Sequence, residues 1–172
     1  MKGPLVLIGL MGSGKTSVGR VLAARLGWDH VDLDQALERR WGRNVARQFA
    51  QEGEAVFRAR EAVLLAKFCR PGQRVLSTGG GVVLRAGNRA RLKRCTCVYL
   101  QASPQSLAGR LKGSQALKRP LLRGQEPRIA LQKLSKQRGT LYRSCASLTV
   151  QAAIGGPQEV AERILDRLKL LS

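Results

Sequence analysis

The sequence of 172 residues is poor in acidic side chains, aromatic rings and long apolar runs, and each shortage excludes a class of protein. No apolar run approaches the roughly 20 residues of a membrane span, so we expect no transmembrane helix. Aromatic residues form 4% of the chain, and no basic run is interleaved with aromatic rings, the pattern that binds single-stranded nucleic acid. We also expect no signal peptide, because a predicted strand begins almost at the first residue.

Acidic residues are outnumbered by basic ones, with 11 Asp and Glu against 31 Lys and Arg, and the net charge is +20. A basic surface of this size attracts nucleic acid and other polyanions. Because the arginines are spread along the chain, we favour a solvated basic surface that steers anionic substrates. Dedicated nucleic-acid binding is the alternative that the charge leaves open.

Cysteine is also sparse, and its spacing matches no metal site. Cys95 and Cys97 are close in sequence, whereas Cys69 and Cys145 are distant, and no Cys/His cluster accompanies them. We therefore expect four reduced thiols without a redox role, in a cytoplasmic protein. The length and the lack of internal repeats or long linkers favour one domain spanning residues 1–172.

A phosphate-binding pattern is present near the N-terminus. Residues 9–16 read GLMGSGKT and match G-x-x-x-x-G-K-[ST] at every required position. The pattern lies between an apolar run at 5–8 and an amphipathic segment at 15–26, which predicts strand, turn and helix. Backbone N–H groups and the helix dipole would bind phosphate there. Lys15 would reach the outer phosphates, and the Thr16 hydroxyl would ligate Mg²⁺.

The rest of the chain alternates between strand and helix patterns, which predicts a parallel sheet covered on both faces. Residues 112–127 have little apolar periodicity and are predicted to form a mobile loop. The predicted strands are 5–8, 31–34, 75–77, 96–100 and 148–150, and the predicted helices are 15–26, 35–41, 45–51, 54–68, 88–93, 104–111, 129–138 and 157–170.

Two carboxylates, Asp32 and Asp34, end the second predicted strand. Ligands of open α/β sheets bind outside the carboxyl ends of the strands, and alternate residues of a strand point to the same side. We therefore expect both carboxylates to face the phosphate loop, one near a metal and the other accepting a proton from a substrate hydroxyl. A solvated strand end followed by a helix cap is the alternative.

Two further features point to an anionic ligand. Arg58 and Glu61 are one helical turn apart and can pair; such a pair matters for function only if Arg58 also grips a bound anion. Residues 79–81 are three consecutive glycines after a predicted buried strand. Their conformational entropy cost would be justified by close approach of the backbone to a ligand.

These motifs together resemble the shikimate kinase family, within the nucleoside-monophosphate-kinase-like phosphate-loop proteins. The resemblance runs from residue 9 to residue 142 in the order of the family's motifs. It rests on the phosphate loop, the Asp32-x-Asp34 pair, Gly53-Glu54 with Phe57-Arg58 and Glu61, Thr78-Gly79-Gly80-Gly81, Arg119-Pro120-Leu121-Leu122, and Arg138 with Leu141-Tyr142.

The resemblance implies a three-layer α/β phosphate-loop fold. Its five-stranded parallel sheet would have the order 2-3-1-4-5, with a substrate-binding region at about 33–61 and a mobile lid at about 112–124. It also implies transfer of the γ-phosphoryl group of ATP to the 3-hydroxyl of shikimate, a step of aromatic amino-acid biosynthesis. The implied partners are these two small molecules with Mg²⁺, and the implied state is a monomer.

The resemblance also implies roles for individual residues. Asp34 would activate the hydroxyl, and Lys15 and Arg119 would stabilise the moving phosphoryl group. Thr16 and Asp32 would hold Mg²⁺. The implied ATP site comprises Gly12, Ser13, Gly14, Lys15, Thr16, Ser17, Arg110, which would stack on adenine, and Arg119; the implied shikimate site comprises Asp34, Arg58, Arg138, Gly79, Gly80, Gly81, Phe49 and Phe57.

Some positions depart from the family pattern. The strand before the triple glycine ends in Ser77 and Thr78 without an aspartate, so Asp32 is the candidate metal carboxylate. Residues 154–157 offer no basic side chain to adenine. His30 lacks a partner motif and is expected to be a packed or partly exposed strand residue and not a catalyst. A gluconate-type kinase and a non-enzymatic binding module are the rival functions.

Overall fold

The computed structural model describes residues 3–111 and 126–169. Five strands form one all-parallel sheet in the order β2-β3-β1-β4-β5, which confirms the expected order. The strands are β1 (Leu5–Ile8), β2 (Asp29–Asp32), β3 (Arg74–Ser77), β4 (Thr96–Gln101) and β5 (Leu148–Gln151).

Helices connect the strands in sequence. None of the described helices is both long enough and apolar enough to cross a membrane. They are α1 (Lys15–Leu26), α2 (Leu33–Trp41), α3 (Val45–Phe68), a 3₁₀ turn (Val82–Leu84), α4 (Ala86–Leu92), α5 (Pro104–Arg110), α6 (Pro127–Cys145) and α7 (Pro157–Lys169).

Alternation along β1 divides the core into two layers. Leu5 and Leu7 pack on one face with side chains of α1 and α7, whereas Val6 and Ile8 pack on the other face with the remaining helices. Because successive strand residues point to opposite sides, a fully apolar strand can be buried on both faces. The sheet is therefore covered by helices on both faces, as expected.

The break within α3 lies where the sequence places it. Asn44 caps the helix by accepting from the Arg47 N–H at 2.8 Å. Gly53 adopts φ 80° and ψ 167°, which is not helical, so α3 consists of two helical segments joined at this glycine. The second segment begins near Glu54 and carries Phe57, Arg58 and Glu61 toward the sheet.

Several boundaries differ from the prediction by a few residues, and two of these differences affect the site. The helix expected at 129–138 continues to Cys145, because Arg138, Tyr142 and Cys145 keep one buried stripe at helical spacing. β2 ends at Asp32 rather than at Asp34, since Leu33 begins α2. Most of the loop expected at 112–127, and the whole lid expected at 112–124, lie outside the described residues.

Candidate active site

The candidate site lies at the carboxyl ends of β1, β2 and β3. The phosphate loop follows β1, Asp32 ends β2, and the triple glycine follows β3. Thr78 fixes two of these segments together, since its hydroxyl donates to the Leu7 carbonyl at 2.8 Å. The parallel sheet thus gathers at one edge segments that are as far apart in the sequence as Leu7 and Thr78, a separation of 71 residues.

The phosphate loop has the backbone that its glycines predict. Gly12 and Gly14 have φ of 78° and 89°, values that favour glycine, and α1 begins at the next residue, Lys15. The Lys15 ammonium donates to the carbonyls of Gly9 and Leu10 at 2.9 and 2.8 Å. The ammonium group is therefore held by backbone carbonyls of the phosphate loop itself.

The hydroxyl of Thr16 donates to the Oδ2 atom of Asp32 at 2.7 Å. The Oδ1 atom of Asp32 accepts from the N–H groups of Asp34 and Gln35 at 3.0 and 3.2 Å. Asp32 is thus both the last residue of β2 and the N-cap of α2. One carboxylate links the phosphate loop to the start of a helix.

The prediction that Asp32 and Asp34 extend from one strand was wrong. Asp34 lies in the first turn of α2, because the Asp32 side chain satisfies two N–H groups there and starts the helix. The two carboxylates are nevertheless brought together beside the phosphate loop, where both line the same cavity.

Two adjoining cavities occupy the site. We call the first the loop pocket; it is lined by Met11, Gly12, Gly14, Lys15, Thr16, Ser17, Asp32, Asp34, Thr78, Gly79, Gly80 and Arg110. We call the second the arginine pocket; it is lined by Met11, Asp34, Val45, Phe49, Phe57, Arg58, Glu61, Gly79, Gly80, Gly81 and Arg138. Asp34 borders both pockets, and so do Met11, Gly79 and Gly80. A ligand in either pocket would therefore meet the Asp34 carboxylate.

Arg58 is held rigidly in the arginine pocket. Its Nη1 atom donates to both carboxylate oxygens of Glu61 at 2.9 and 2.8 Å, and its Nε atom donates to Glu54 at 3.2 Å. The guanidinium also lies 5.5 and 5.1 Å from the ring centroids of Phe49 and Phe57. Burial opposes the charge on Arg58, but Glu61 and Glu54 outweigh it and raise the pKa of the guanidinium.

Glu61 is fully buried. Its pKa is raised to about 7. Burial is the main cause of the rise and Asp34 adds to it, whereas Arg58 and Arg138 act in the opposite direction. A carboxyl with such a pKa changes charge near neutral pH. The strength of the Arg58–Glu61 ion pair therefore varies over the physiological range.

Arg138 differs from Arg58 in its partners. Its side chain is 3% exposed, and its Nε atom has no hydrogen-bond partner among the described residues. Buried polar atoms without partners are rare in native proteins. An anion in the arginine pocket would supply the acceptor that this Nε atom lacks.

The triple glycine makes room for the side chains of the site. A Cβ atom at Gly79 would lie 2.8 Å from the Oδ1 atom of Asp34 and 3.0 Å from the Oε1 atom of Glu61. A Cβ atom at Gly81 would clash with the Arg58 guanidinium. None of the three glycines has a positive φ. A Cβ atom at Gly79 or Gly81 would therefore displace these side chains, whereas a Cβ atom at Gly80 would make ordinary contacts of 3.4 Å or more.

The remaining predicted residues lie in different places. Arg110 borders the loop pocket and donates to the Ala152 carbonyl at 2.7 Å. Ser13 is buried beneath the loop, 3.4 Å from the Lys15 ammonium. Arg119 lies outside the described residues. His30 is half-buried on β2, as expected, 3.0 Å from the Ser77 hydroxyl, and burial lowers its pKa.

Sequence reasoning assigned no role to Tyr142. Its fully buried hydroxyl donates to the Gly80 carbonyl, and its ring stacks on Tyr99 with centroids 5.0 Å apart. Tyr142 lies four residues after Arg138, so both side chains leave the same face of α6. That spacing was the available signal that α6 supports the glycine turn as well as the arginine pocket.

Comparison with known proteins gives a consistent result. The family model described as shikimate kinase matches residues 11–169. A shikimate kinase of Symbiobacterium thermophilum is 43% identical over 166 residues, which are 96% of this chain and 95% of the relative. A shikimate kinase of Pseudomonas entomophila is 42% identical over 168 residues, or 97% and 96% of the two chains.

Solved structures agree. Shikimate kinase from Acinetobacter baumannii in complex with shikimate has a TM-score of 0.94 and 37% identity, and the match covers 99% of this chain and 94% of that one. A gluconokinase from Sinorhizobium meliloti has a TM-score of 0.51 and 18% identity over 99% and 97% of the two chains, which indicates a shared fold alone.

Proposed function

The chain belongs to the shikimate kinase family, its function is the ATP-dependent phosphorylation of shikimate, and we propose that the loop pocket and the arginine pocket perform this reaction on the 3-hydroxyl group. ATP would place its phosphates in the loop pocket, and shikimate would occupy the arginine pocket. This division agrees with the chemistry of the two linings, one rich in backbone N–H groups and the other in guanidinium groups.

The observation that carries the proposal is the pair of guanidiniums in the arginine pocket. Shikimate has one carboxylate and three hydroxyls, and arginine can bind a carboxylate through two parallel hydrogen bonds. Arg138 offers an unpartnered Nε atom, and Arg58 is fixed by two carboxylates. Backbone groups of the glycine turn would contact the ring hydroxyls, with Phe49 and Phe57 against the ring.

Asp34 is the proposed catalytic carboxylate. It borders both pockets, so it can orient the hydroxyl toward the γ-phosphoryl group and accept its proton. Phosphoryl transfer depends mainly on positioning and on neutralising negative charge. Lys15, with Arg119 from the proposed lid at 112–124, would supply positive charge to the transferred group.

Mg²⁺ is the proposed cofactor, and the residues present fit it. Thr16 and Asp32 offer a hydroxyl and a carboxylate oxygen side by side, and Mg²⁺ usually takes one or two protein oxygens with waters and substrate phosphates. Residues 3–111 and 126–169 hold no cluster of three or more His, Cys, Asp or Glu side chains suited to a metal, so the nucleotide would complete the coordination. The ion would neutralise phosphate charge. We further propose a cytoplasmic monomer whose 172 residues form one domain.

The proposal is tested by measuring ADP release over a panel of acceptors that includes shikimate and gluconate. We expect turnover with shikimate only, and nuclear magnetic resonance of the product should place phosphorus on the 3-oxygen. Turnover with gluconate at a similar kcat/KM would contradict the assignment of the arginine pocket. ADP release that is independent of any acceptor would contradict the proposed transfer itself.

A further inference from the structure

The first turn of α1, which would hold the nucleotide phosphates, is attached to two neighbouring strands by side-chain hydrogen bonds. Asp32 of β2 and Ser77 of β3 are direct partners in the parallel register of these strands. Asp32 accepts from the Thr16 hydroxyl at 2.7 Å, and the Ser77 hydroxyl donates to the Lys15 carbonyl at 2.9 Å. Two paired strand residues thus hold two consecutive residues of the helix.

The hydrogen bond between Ser77 and Lys15 is buried. Ser77 is 2% exposed, and Lys15 is the residue at which α1 begins. A hydrogen bond inside a protein is stronger electrostatically than one in water, because the surroundings screen it less. This bond therefore fixes the distance between the start of α1 and the end of β3.

His30 adds a second hydrogen bond to this contact. It lies on β2 two residues before Asp32, so both side chains leave the same face of the strand. The Nε2 atom of His30 is 3.0 Å from the hydroxyl oxygen of Ser77. A serine hydroxyl has one proton, and that of Ser77 is already donated to the Lys15 carbonyl. The Nε2 atom must therefore carry a hydrogen and donate it to Ser77.

Gly19 leaves room for these hydrogen bonds. It is buried and lies about one turn after Lys15 in α1. A Cβ atom at Gly19 would lie 2.5 Å from the Oγ atom of Ser77 and 2.7 Å from the Nε2 atom of His30. Both distances are too short for a real contact, so a side chain at this position would displace one of the two partners. Helix α1 can therefore pack directly on the His30–Ser77 pair because residue 19 has no side chain.

We propose that His30 and Ser77 are positioning residues for nucleotide binding. The imidazole orients the Ser77 hydroxyl, and the hydroxyl holds the first turn of α1 where its N–H groups and the Lys15 ammonium meet the phosphates. The inference rests on the proposed placement of the ATP phosphates in the loop pocket. Neither His30 nor Ser77 lines that pocket, so both act through Lys15. Donation by the imidazole polarises the hydroxyl and strengthens its bond to the carbonyl.

The first test reads the tautomer of His30, which is the only histidine of the chain. The untagged full-length protein would carry histidine labelled with a magnetic nitrogen isotope, and two-bond nitrogen–proton correlation spectra would be recorded at about pH 8, where imidazole is neutral. We expect the hydrogen on Nε2, and Ser77→Ala should shift the Nε2 resonance more than the Nδ1 resonance. A hydrogen on Nδ1 alone would make Nε2 an acceptor of the Ser77 proton and would overturn the proposal, even if a variant fails to fold.

The second test measures nucleotide affinity by titration with ADP and Mg²⁺. Ser77→Ala should raise the dissociation constant of ADP by roughly two- to tenfold, the scale of one lost hydrogen bond, and leave that of shikimate unchanged. His30→Leu should also raise it, whereas His30→Gln should resemble the parent because the glutamine amide can donate in place of Nε2. Ser144→Ala is the matched control, since it removes a hydroxyl that donates to a carbonyl at 2.9 Å on the surface of α6, and it should change neither constant. A partly unfolded variant would show fewer binding sites and an unchanged affinity.

Unchanged ADP affinity in Ser77→Ala, or equal affinities in the two variants of His30, would overturn the proposal. Lys15→Ala separates this result from a failure of the proposed phosphate site. If Lys15→Ala binds ADP more weakly than the parent and Ser77→Ala does not, the positioning role alone is wrong. If Lys15→Ala also binds ADP like the parent, the loop pocket is not the phosphate site, and both proposals are contradicted.

Discussion

The two arginines of the arginine pocket have different partners in the structure, although the sequence analysis gave both residues the same role. Arg58 neutralises buried Glu61, whereas the Nε atom of Arg138 has no partner among the described residues. Arg58 thus contributes both to the fold and to the proposed carboxylate site, and Arg138 contributes mainly to the latter. Replacing each arginine in turn should therefore separate the effect on fold stability from the effect on shikimate binding.

Arg138→Lys should raise the KM for shikimate by roughly 10- to 100-fold and leave the KM for ATP nearly unchanged, because an ammonium cannot replace a planar two-bond contact. Arg58→Met should in addition destabilise the fold by about 3–5 kcal/mol at pH 8, since it leaves Glu61 buried without its partner. Arg138→Met should not destabilise the fold in this way. Urea denaturation and steady-state kinetics would measure both effects, and an equal loss of stability in the two Met variants would refute the distinction.

Glu61 predicts a specific pH dependence of stability. Its folded pKa of about 7 exceeds the ordinary value of 4.5, so the folded state binds the proton more tightly than the unfolded state. The stabilisation from this group is complete below pH 4.5 and is lost as the pH rises through 7. Relative to the parent, Glu61→Gln should therefore show a smaller fall in the free energy of unfolding from pH 4.5 to 7. Parallel stability–pH curves would contradict the raised pKa.

Asp34→Asn tests the proposed proton acceptor. The substitution keeps the size of the side chain but removes its charge, so kcat should fall by about 10²–10⁴-fold, while titration with ATP gives a nearly unchanged dissociation constant. Arg119→Ala should also lower kcat but keep any acidic limb of the parent's rate–pH profile that Asp34 causes, because this variant retains the Asp34 carboxyl. An ordinary kcat for Asp34→Asn would remove this carboxylate from the mechanism.

At the scale of elements, the junction between β2 and α2 decides where the carboxylates lie. The segment 31–34 alternates like a strand, yet Asp32 accepts from two N–H groups and starts the helix. This local competition between cap and strand cannot be decided from alternation alone. The loop after β1 was predictable, because strand, glycine turn and helix are all encoded within residues 5–26.

The two functions of Asp32 can be separated by substitution. Asp32→Ala should lose about 1 kcal/mol of stability because the cap of α2 is removed, and it should raise the Mg²⁺ concentration needed for half-maximal activity. Asp32→Asn should keep the cap, since asparagine is an equally good N-cap, but share the Mg²⁺ defect. Asn44→Ala in α3 serves as the cap control and should lower stability without changing the Mg²⁺ requirement. A normal requirement in both Asp32 variants would contradict the metal role.

At the scale of the whole molecule, the helical layers on both faces and the Arg58–Glu61 pair were predictable from the residues, and the sheet order was predictable from the resemblance to the family. Contacts between distant segments were not. Nothing local indicates that Asp34 and Glu61 both border Gly79, or that Tyr142 supports Gly80, because these contacts depend on how α2, α3 and α6 pack at one edge of the sheet. The lid expected at 112–124, which carries Arg119, stays a prediction.

The net charge of +20 should make kcat/KM depend on the salt concentration. Both proposed substrates are anions, and exposed charges are screened beyond about 10 Å at 0.1 M salt. Raising the salt from 10 to 300 mM should therefore lower kcat/KM several-fold, while kcat at saturation changes little because the buried arginines are poorly screened. Viscosity and ATP–Mg²⁺ ratio would be held constant. A parallel fall in kcat would indicate damage to the site and not loss of steering.

The close approach of Gly81 to Arg58 also restricts how this protein can change over time. Any side chain at position 81 would meet the Arg58 guanidinium, so the guanidinium would have to shift away from its place beside Glu61. Replacing Arg58 first removes the proposed substrate contact and leaves Glu61 unbalanced. A single change at either position is therefore expected to move or remove the guanidinium that the arginine pocket uses. We expect a descendant that keeps its activity to keep both residues.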